Sequence, residues 1–446
     1  MKVRFLMLSQ KVAKRPYRVQ HLAEADNGGG AAKAAQKLHA GLRALGMDSH
    51  MLVAEKRTED PTSVQLDLNM GFFAKRRRRS LARTQKQHLK QFRDTKSEKL
   101  EIFTHGKGIF GWDLVSQLPD ADAYILHWSD RLIDYETLFS KIRPDIPVLW
   151  RMPDMNAMTG GCHYAWDCER FTGTCGMCPQ LGSSVAEDLS RQVFRHKQRA
   201  YAKRNPKLTC FVAPSLWLAG EVSKSTLLRD FEIAHIPTGV NSETFSPSEN
   251  SAILKRYGLP TGVPLLLFVA QSVTNYRKGF DLVVSAMEGM SEPAKVALVA
   301  LGNSSNIEDL PTNCYKIGRI DKTADLAALY SAADLFVHPA REDNMPNVVL
   351  EAMACGTPCV VFNVGGLPEL VKHGKTGLII EREDVVGLRK GINDLLASAD
   401  LLKEMSRNCR DLVLAEYRED LMAQRYRDLL EDMLERAESH RHVAKR

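Results

Sequence analysis

Residues 334–362, DLFVHPAREDNMPNVVLEAMACGTPCVVF, read as a strand, a polar loop, a helix opening after Pro346, a tight turn and a second strand. Two apolar runs of strand length joined through a helix are the mark of a parallel sheet with helices on its faces. Working outward, the same alternation recurs in PLLLFVA, DLVVSAM, KVALVAL and DLAALYSAA, and in the first half as KVRFLML, a helix over 31–45, and SHMLVA. The class is therefore α/β, with two doubly wound parallel-sheet domains of Rossmann-like type. At 446 residues the chain is too long for one ordinary domain and fits two. We place domain one at 1–213 and domain two at 214–415, because the apolar TCFVAPS gives way to IPTGVNSETFSP, rich in Pro, Gly, Ser and Thr. A long amphipathic helix in 416–446 is expected to return to domain one. Ligands of open parallel sheets sit beyond the carboxyl ends of the strands, so two such sheets facing each other imply a site in an interdomain cleft.

Within 334–362, Asp343 lies in the loop and Glu351 about one turn into the helix. Acids are rarely buried without a partner, so Glu351 between VVL and AMA is informative. Its two oxygens can accept both vicinal hydroxyls of a ribose. Asn344, Met345 and Asn347 stand at the helix start, where unpaired amides can address sugar hydroxyls or phosphate. Upstream, PLLLFVAQSVTNYRKGFDL places Arg277 and Lys278 just past a strand, where a cationic pair can hold a diphosphate. In the first half, NGGGAA at 27–32 opens a helix; Gly28, Gly29 and Gly30 let backbone amides approach a polar ligand. This loop has neither the GxGxxG spacing of a dinucleotide fingerprint nor the lysine of a P-loop, so both readings fall.

Net charge is +7, unevenly spread: residues 75–93, KRRRRSLARTQKQHLKQFR, hold nine Lys or Arg and no acid. With Phe72, Phe73, Leu81, Leu89 and Phe92 this segment, 72–93, forms a basic helix with a thin apolar side, suited to an anionic membrane surface or simply to solvent. No recognition motif accompanies the charge, so nucleic acid is not expected as a partner. No run approaches the ~20 apolar residues of a membrane span, and Val3 to Leu8 read as a buried strand rather than a signal peptide. The nine cysteines, an odd number, fit reduced thiols in a cytoplasmic protein. Four of them, Cys162, Cys168, Cys175 and Cys178, have C-x5-C-x6-C-x2-C spacing that could wrap a structural zinc; reduced thiols, or a redox pair at Cys175 and Cys178, are the alternatives.

Taken together, GGGAA, ILHW at 125–128, TGGCHYAWDCERF at 159–171, IPTGVNSETFSP, RKGFDL, YSAADLFVHP, EDNMPN, EAMACGTP and GGLPELV at 365–371 resemble the retaining glycosyltransferases of family 4 over nearly the whole chain. The likeness is strongest to bacterial enzymes of exopolysaccharide, capsule or lipopolysaccharide synthesis. It implies the GT-B fold of two facing Rossmann-like domains, a UDP- or GDP-sugar donor, a glycan or lipid-linked glycan acceptor, retention of configuration and no catalytic metal or other cofactor. By position it makes Glu351 the ribose-binding acid, Asp343 the first acid of the family's paired-acid motif, and Lys278, with Arg277, the phosphate contact. It also places Gly365, Gly366 and Glu369 near the donor and Gly28 to Gly30 near the transferred sugar. Two departures stand out: the motif is D-x7-E, and Pro153 replaces a family histidine that meets the donor sugar, so that either His163, Asn156 or His127 supplies that contact or the donor preference differs. Alternative readings are a GT-B nucleotide-sugar epimerase and a non-catalytic sugar-nucleotide-binding subunit. A cytoplasmic location, peripheral on the inner face of the cell membrane, is the corresponding expectation.

Overall fold

The computed structural model describes residues 17–92, 94–95, 102–248, 252–292, 295–304 and 310–443. The expected strand at residues 3–8 lies outside them. Contacts divide the chain into two units: one of Met1–Ile236 with Met422–Arg446, the other of Pro237–Leu421.

Unit 1 is built on a parallel sheet of β1 (Arg18–Ala25), β2 (Asp48–Glu55), β3 (Ser63–Gln65), β4 (Ala123–Leu126), β5 (Val148–Arg151), β6 (Thr209–Ala213) and β7 (Glu232–His235), in the order β3-β2-β1-β4-β5-β6-β7. Alternation along each strand sends successive side chains to opposite faces. Tyr124 and Leu126 of β4 join one apolar cluster with Leu22, Trp150 and Phe211, while Ala123 and Ile125 join another with Val19, Leu149 and Val212. The second face is closed by the helix Glu419–Val443, whose Met422, Tyr426, Leu429, Leu430, Met433 and Leu434 recur at helical spacing and are all buried. Burying six such side chains contributes on the order of 10 kcal/mol before conformational entropy is subtracted.

One detail differs from the sequence reading: the chain divides at Ile236 rather than Ala213, because β7 still pairs with β6, Cys210 opposite Glu232 through Ala213 opposite His235. The strand leading into the 27–32 loop is β1, RVQHLAEA, which holds its place despite its polar residues.

Unit 2 has β8 (Leu265–Ser272), β9 (Ala297–Asn303), β10 (Cys314–Ile317), β11 (Leu335–His338), β12 (Cys359–Phe362) and β13 (Gly377–Ile380), all parallel, ordered β10-β9-β8-β11-β12-β13. Leu265, Leu267 and Val269 of β8 enter one cluster, and Leu266, Phe268 and Ala270 the other, so both faces are covered and the run is continuously apolar. In unit 1 the strand order reverses between β1 and β4, and in unit 2 between β8 and β11. Such reversals open a crevice at the carboxyl ends of the strands.

Candidate active site

At the unit 2 reversal, β8 runs into a short 3-10 turn, Tyr276–Lys278, and β11 ends at His338. The two following loops are stitched to each other. The Arg341 amide donates to the Arg277 carbonyl at 2.8 Å, and Arg277 Nη1 donates to the Glu342 carbonyl at 2.9 Å. Arg341, which sequence reading passed over, is buried; it grips Asp281 at 2.9 and 2.6 Å, Glu383 at 2.6 Å and the Tyr276 carbonyl at 2.6 Å, with its guanidinium 3.8 Å from the Tyr276 ring centroid. Fork-shaped donors of this kind fix geometry as well as charge.

This frame brings Arg277, Lys278 and Asp343 together. Lys278 Nζ meets Asp343 Oδ2 at 2.5 Å, Arg277 Nη1 meets Oδ1 at 3.2 Å, and His338 Nε2 meets Oδ2 at 3.0 Å. The Asn344 amide donates to Asp343 Oδ1 at 3.1 Å. Burial alone would push the Asp343 carboxyl up; the Lys278 and Arg277 charges and the His338 hydrogen bond overcome that and hold it well below the usual carboxylate range. It is ionised at neutral pH and a poor proton acceptor. Burial, with the nearby Lys278 and Arg277 charges, lowers the His338 pKa against the pull of Asp343. Because an ionised carboxylate only accepts, the neutral His338 ring carries its proton on Nε2. Its Nδ1 has no hydrogen-bond partner among the described residues. His338 was not singled out from sequence; the signal was a titratable residue closing an apolar run.

Gly365 has φ +54°, and a Cβ there would lie 1.7 Å from the Asp343 carbonyl oxygen. Only glycine allows that approach. The Gly366 amide donates to the same carbonyl at 3.2 Å, so the glycine turn supports the backbone of Asp343. Helix Asn347–Ala354 begins at Asn347 and buries Glu351, whose Oε2 accepts from the Tyr330 hydroxyl at 3.2 Å. Met345 is buried with its sulfur 3.3 Å from the Thr238 amide. The Glu369 carbonyl accepts from Lys372 Nζ at 2.8 Å and from the Tyr417 hydroxyl at 3.1 Å.

The other positions lie in unit 1. Gly28, at φ +122°, sits where a Cβ would meet Arg57 Nη1 at 2.1 Å; Gly29 is the N-cap of helix Gly30–Ala44, which Gly30 opens. Asp26 ties this loop down, accepting from the Arg57 amide at 2.7 Å, Thr58 at 2.6 Å and Ser63 at 2.9 Å. Beyond β4 and β5 a small cavity is lined by Trp128, Asp130, Pro153, Asp154, Asn156 and His163, among others. His163 Nδ1 bonds Asp154 at 2.7 Å and its Nε2 bonds Thr104 at 2.7 Å; Thr104 in turn donates to Asp130 at 2.5 Å. Burial opposes a charge on His163, but Asp154 and Asp130 outweigh it and raise its pKa. His127 is stacked on His21, 2.9 Å from ring nitrogen to ring nitrogen, and burial lowers both pKa values. The four cysteines Cys162, Cys168, Cys175 and Cys178 line a separate cavity of the same unit.

Two doubly wound parallel units, one carrying a buried acid locked to a cationic pair at its strand reversal, define a GT-B protein. Residues 249–412 match the family model for glycosyl transferases group 1. Over 219 residues the chain is 31% identical to a GDP-mannose-dependent alpha-(1-6)-phosphatidylinositol monomannoside mannosyltransferase of Mycobacterium tuberculosis, covering 44% of this chain and 55% of that one. The chain spans about half the length of the curated relatives it matches. Among solved structures it resembles sucrose-phosphate synthase of Thermosynechococcus elongatus, with a TM-score of 0.65 at 17% identity over 94% of this chain and 99% of that one. It likewise resembles Anabaena HepE solved with UDP-glucose, with a TM-score of 0.62 at 14% identity over 93% of this chain and 100% of that one. At such identities the likeness speaks for the fold.

Proposed function

We propose that the chain is a retaining hexosyltransferase that moves a sugar from a UDP- or GDP-sugar to a hydroxyl of a growing, lipid-linked glycan of the exopolysaccharide, capsule or lipopolysaccharide kind. The observation that carries this reading is the Arg277–Lys278–Asp343 group at the β8/β11 reversal. Two cations gathered on one buried carboxylate at the strand reversal are placed to meet a diphosphate, and their positions are fixed before the ligand arrives. Fixed charge aimed where negative charge grows on a leaving diphosphate is the largest effect available to such a site. Asp343, held ionised, positions the cations; it is not a base. In this reading the cations do the work of a metal ion, and none is required. Glu351, anchored by Tyr330, receives the ribose hydroxyls, and the amides at the start of helix Asn347–Ala354 face the donor.

His163 is committed to Asp154 and Thr104, so it replaces the family histidine indirectly. It orients Asp154 and Asp130, whose carboxylates can accept sugar hydroxyls beside Trp128. Support for the nucleotide part comes from the relatives' own names, a GDP-mannose-dependent enzyme and a protein solved with UDP-glucose.

The membrane-facing part of the proposal rests on the helix Gly71–Lys90. Phe72 and Phe73 are 71% and 84% exposed beside Lys75 to Arg79, a pairing of rings and cations that fits an anionic bilayer surface. Its far end does not belong to that face, since Leu89 and Phe92 pack against the cluster of Phe103 and Leu181. No helix among the described residues is long and apolar enough to cross a membrane.

A panel of UDP- and GDP-sugars with a crude lipid-glycan acceptor, with and without anionic vesicles, tests the reading. Wild type should turn over one donor, and Lys278→Ala and Glu351→Ala should each lose turnover at least a hundredfold, about 2.7 kcal/mol of transition-state stabilisation. A donor rearranged without acceptor would favour an epimerase. Binding without turnover of any donor would favour a non-catalytic subunit. Failure to sediment with the vesicles would remove the membrane part alone.

A further inference from the structure

The segment from Thr159 to Asp188 joins β5 to the helix Leu189–Tyr201 with only two short 3-10 turns, Arg170–Thr172 and Pro179–Leu181. A run of that length without regular structure is uncommon in a compact unit and needs something to hold it. Its backbone is also strained, with left-handed φ at Trp166 (+54°), Cys175 (+54°), Gly176 (+98°) and Met177 (+46°). Non-glycine residues stay there only when their surroundings force them to.

Ala165, Phe171 and Leu181 anchor the segment in the apolar interior, and beside them it gathers sulfur. Cys162, Cys168, Cys175 and Cys178 line one cavity of about 20 Å³, slightly more than the volume of a single water-sized sphere. Backbone amides are already turned toward two of the sulfurs: those of Gln180 and Leu181 toward Cys178, and that of Gly160 toward Cys175. Amide donors of this type are the outer support that a metal-bound thiolate uses. The Cys175 loop is pinned around them. Gly176 donates to Ser190 at 2.9 Å, Cys178 N–H to Asp188 at 2.8 Å, and the Arg191 guanidinium to the Cys175 carbonyl at 3.1 and 2.9 Å. Behind the cavity lies Lys197, fully buried, its ammonium on the carbonyls of Asn156 and Thr159 and within electrostatic reach of Asp154, Cys162 and Cys175.

We propose that these four cysteines bind one zinc ion as thiolates, forming a structural site that fastens the 159–188 segment to unit 1. Two positive charges on the ion and four negative sulfurs leave a doubly negative centre, which Lys197 and Arg191 flank. Among the described residues no three such side chains are drawn up around a single point, so binding includes rotation of the thiols into the cavity they line and release of their protons.

The full chain, purified from zinc-replete cells without chelator, is expected to carry close to one zinc per molecule by mass spectrometry of metals. Cobalt exchanged into it should show sulfur-to-metal charge transfer and tetrahedral d–d bands. Cys168→Ser and Cys175→Ser should each lose the metal, whereas Cys314→Ser, on β10, should retain it. Should the variants fail to fold, the cobalt spectrum of the wild type decides alone. Folded zinc-free protein that gives no tetrathiolate cobalt spectrum would overturn the proposal, as would a Cys175–Cys178 disulfide found by alkylation and peptide mapping. Neither result bears on the Lys278 and Glu351 test.

Discussion

Asp343→Asn keeps the shape of the carboxylate and removes its charge. In the folded chain that charge meets Lys278 at 2.5 Å, Arg277 at 3.2 Å and His338 at 3.0 Å. The side chains are 6% exposed for Asp343, 18% for Lys278 and 10% for Arg277, so water cannot take over the lost interaction. Removing one partner of a buried ion pair costs on the order of 3–5 kcal/mol, because the other is left uncompensated. For a unit the size of Pro237–Leu421, each kcal/mol moves the transition by about 2–4 °C, so the melting of unit 2 should fall by roughly 10 °C. Differential scanning calorimetry on the two proteins reads this, provided the two units' transitions are resolved. A second expectation has the opposite sign. With the Asp343 charge removed, Arg277 and Lys278 present more positive charge to a diphosphate, so UDP or GDP should raise the melting temperature of the variant more than that of the wild type. Adding Lys278→Met should restore part of the loss, since the two residues act as one group. A variant whose unit 2 melts within about 1 °C of wild type, with an unchanged nucleotide response, would refute the view that Asp343 is the counter-charge that sets the cations in place.

Gly365→Ala should cost more than about 2 kcal/mol, combining roughly 1–2 kcal/mol for the left-handed backbone with displacement of the Asp343 carbonyl; Gly374→Ala, at φ +74° with nothing within 4 Å, carries the backbone cost alone. Equal melting losses for the two would show that the close approach at Asp343 is unimportant. Burial, only partly offset by Asp60, lowers the pKa of His39 from 6.5 to about 4; the unfolded chain therefore takes up its proton first as pH falls, and stability drops between pH 6.5 and about 4. Its share is about 3 kcal/mol, so His39→Gln should flatten the pH dependence of unit 1 melting across that window; an unchanged slope would count against the assignment.

How far the site was legible depended on how local its chemistry is. Arg277 and Lys278 stand out because two cations interrupt the pattern just past an apolar strand, and Glu351 because an acid lies among helix core residues. His338 did not stand out, since a histidine ending an apolar run looks like any core histidine until its partner Asp343 is placed. Arg341 is harder still: its partners Asp281 and Glu383 lie 60 and 42 residues away, beyond any spacing rule. The fold shows the same limit. β8 reads directly from its apolar run, whereas β1 carries Gln20, His21 and Glu24 inside the unit. They are tolerated because Gln20 bonds the carbonyls of His21 and His50, His21 stacks on His127, and Glu24 is held by Arg131. The boundary shifted for a related reason: β7, EIAH, is short and only half buried, so its sequence carries little apolar signal, and its place comes from pairing with β6.

The helix Glu419–Val443 has a further consequence, for the order in which the protein is made. The first part of unit 1 emerges from the ribosome before unit 2, yet one face of its sheet lacks Met422, Tyr426, Leu430 and Met433 until unit 2 has been translated. Unit 2 lies entirely between and can close on its own residues. At about 5–20 residues per second, the stretch from Ile236 to Leu434 takes roughly 10 to 40 seconds to synthesise. For that interval Val19, Leu38, Ile125 and Val212 present an uncovered apolar surface in the nascent chain. The pace of translation through unit 2 thereby sets how long the protein depends on the cell's chaperones.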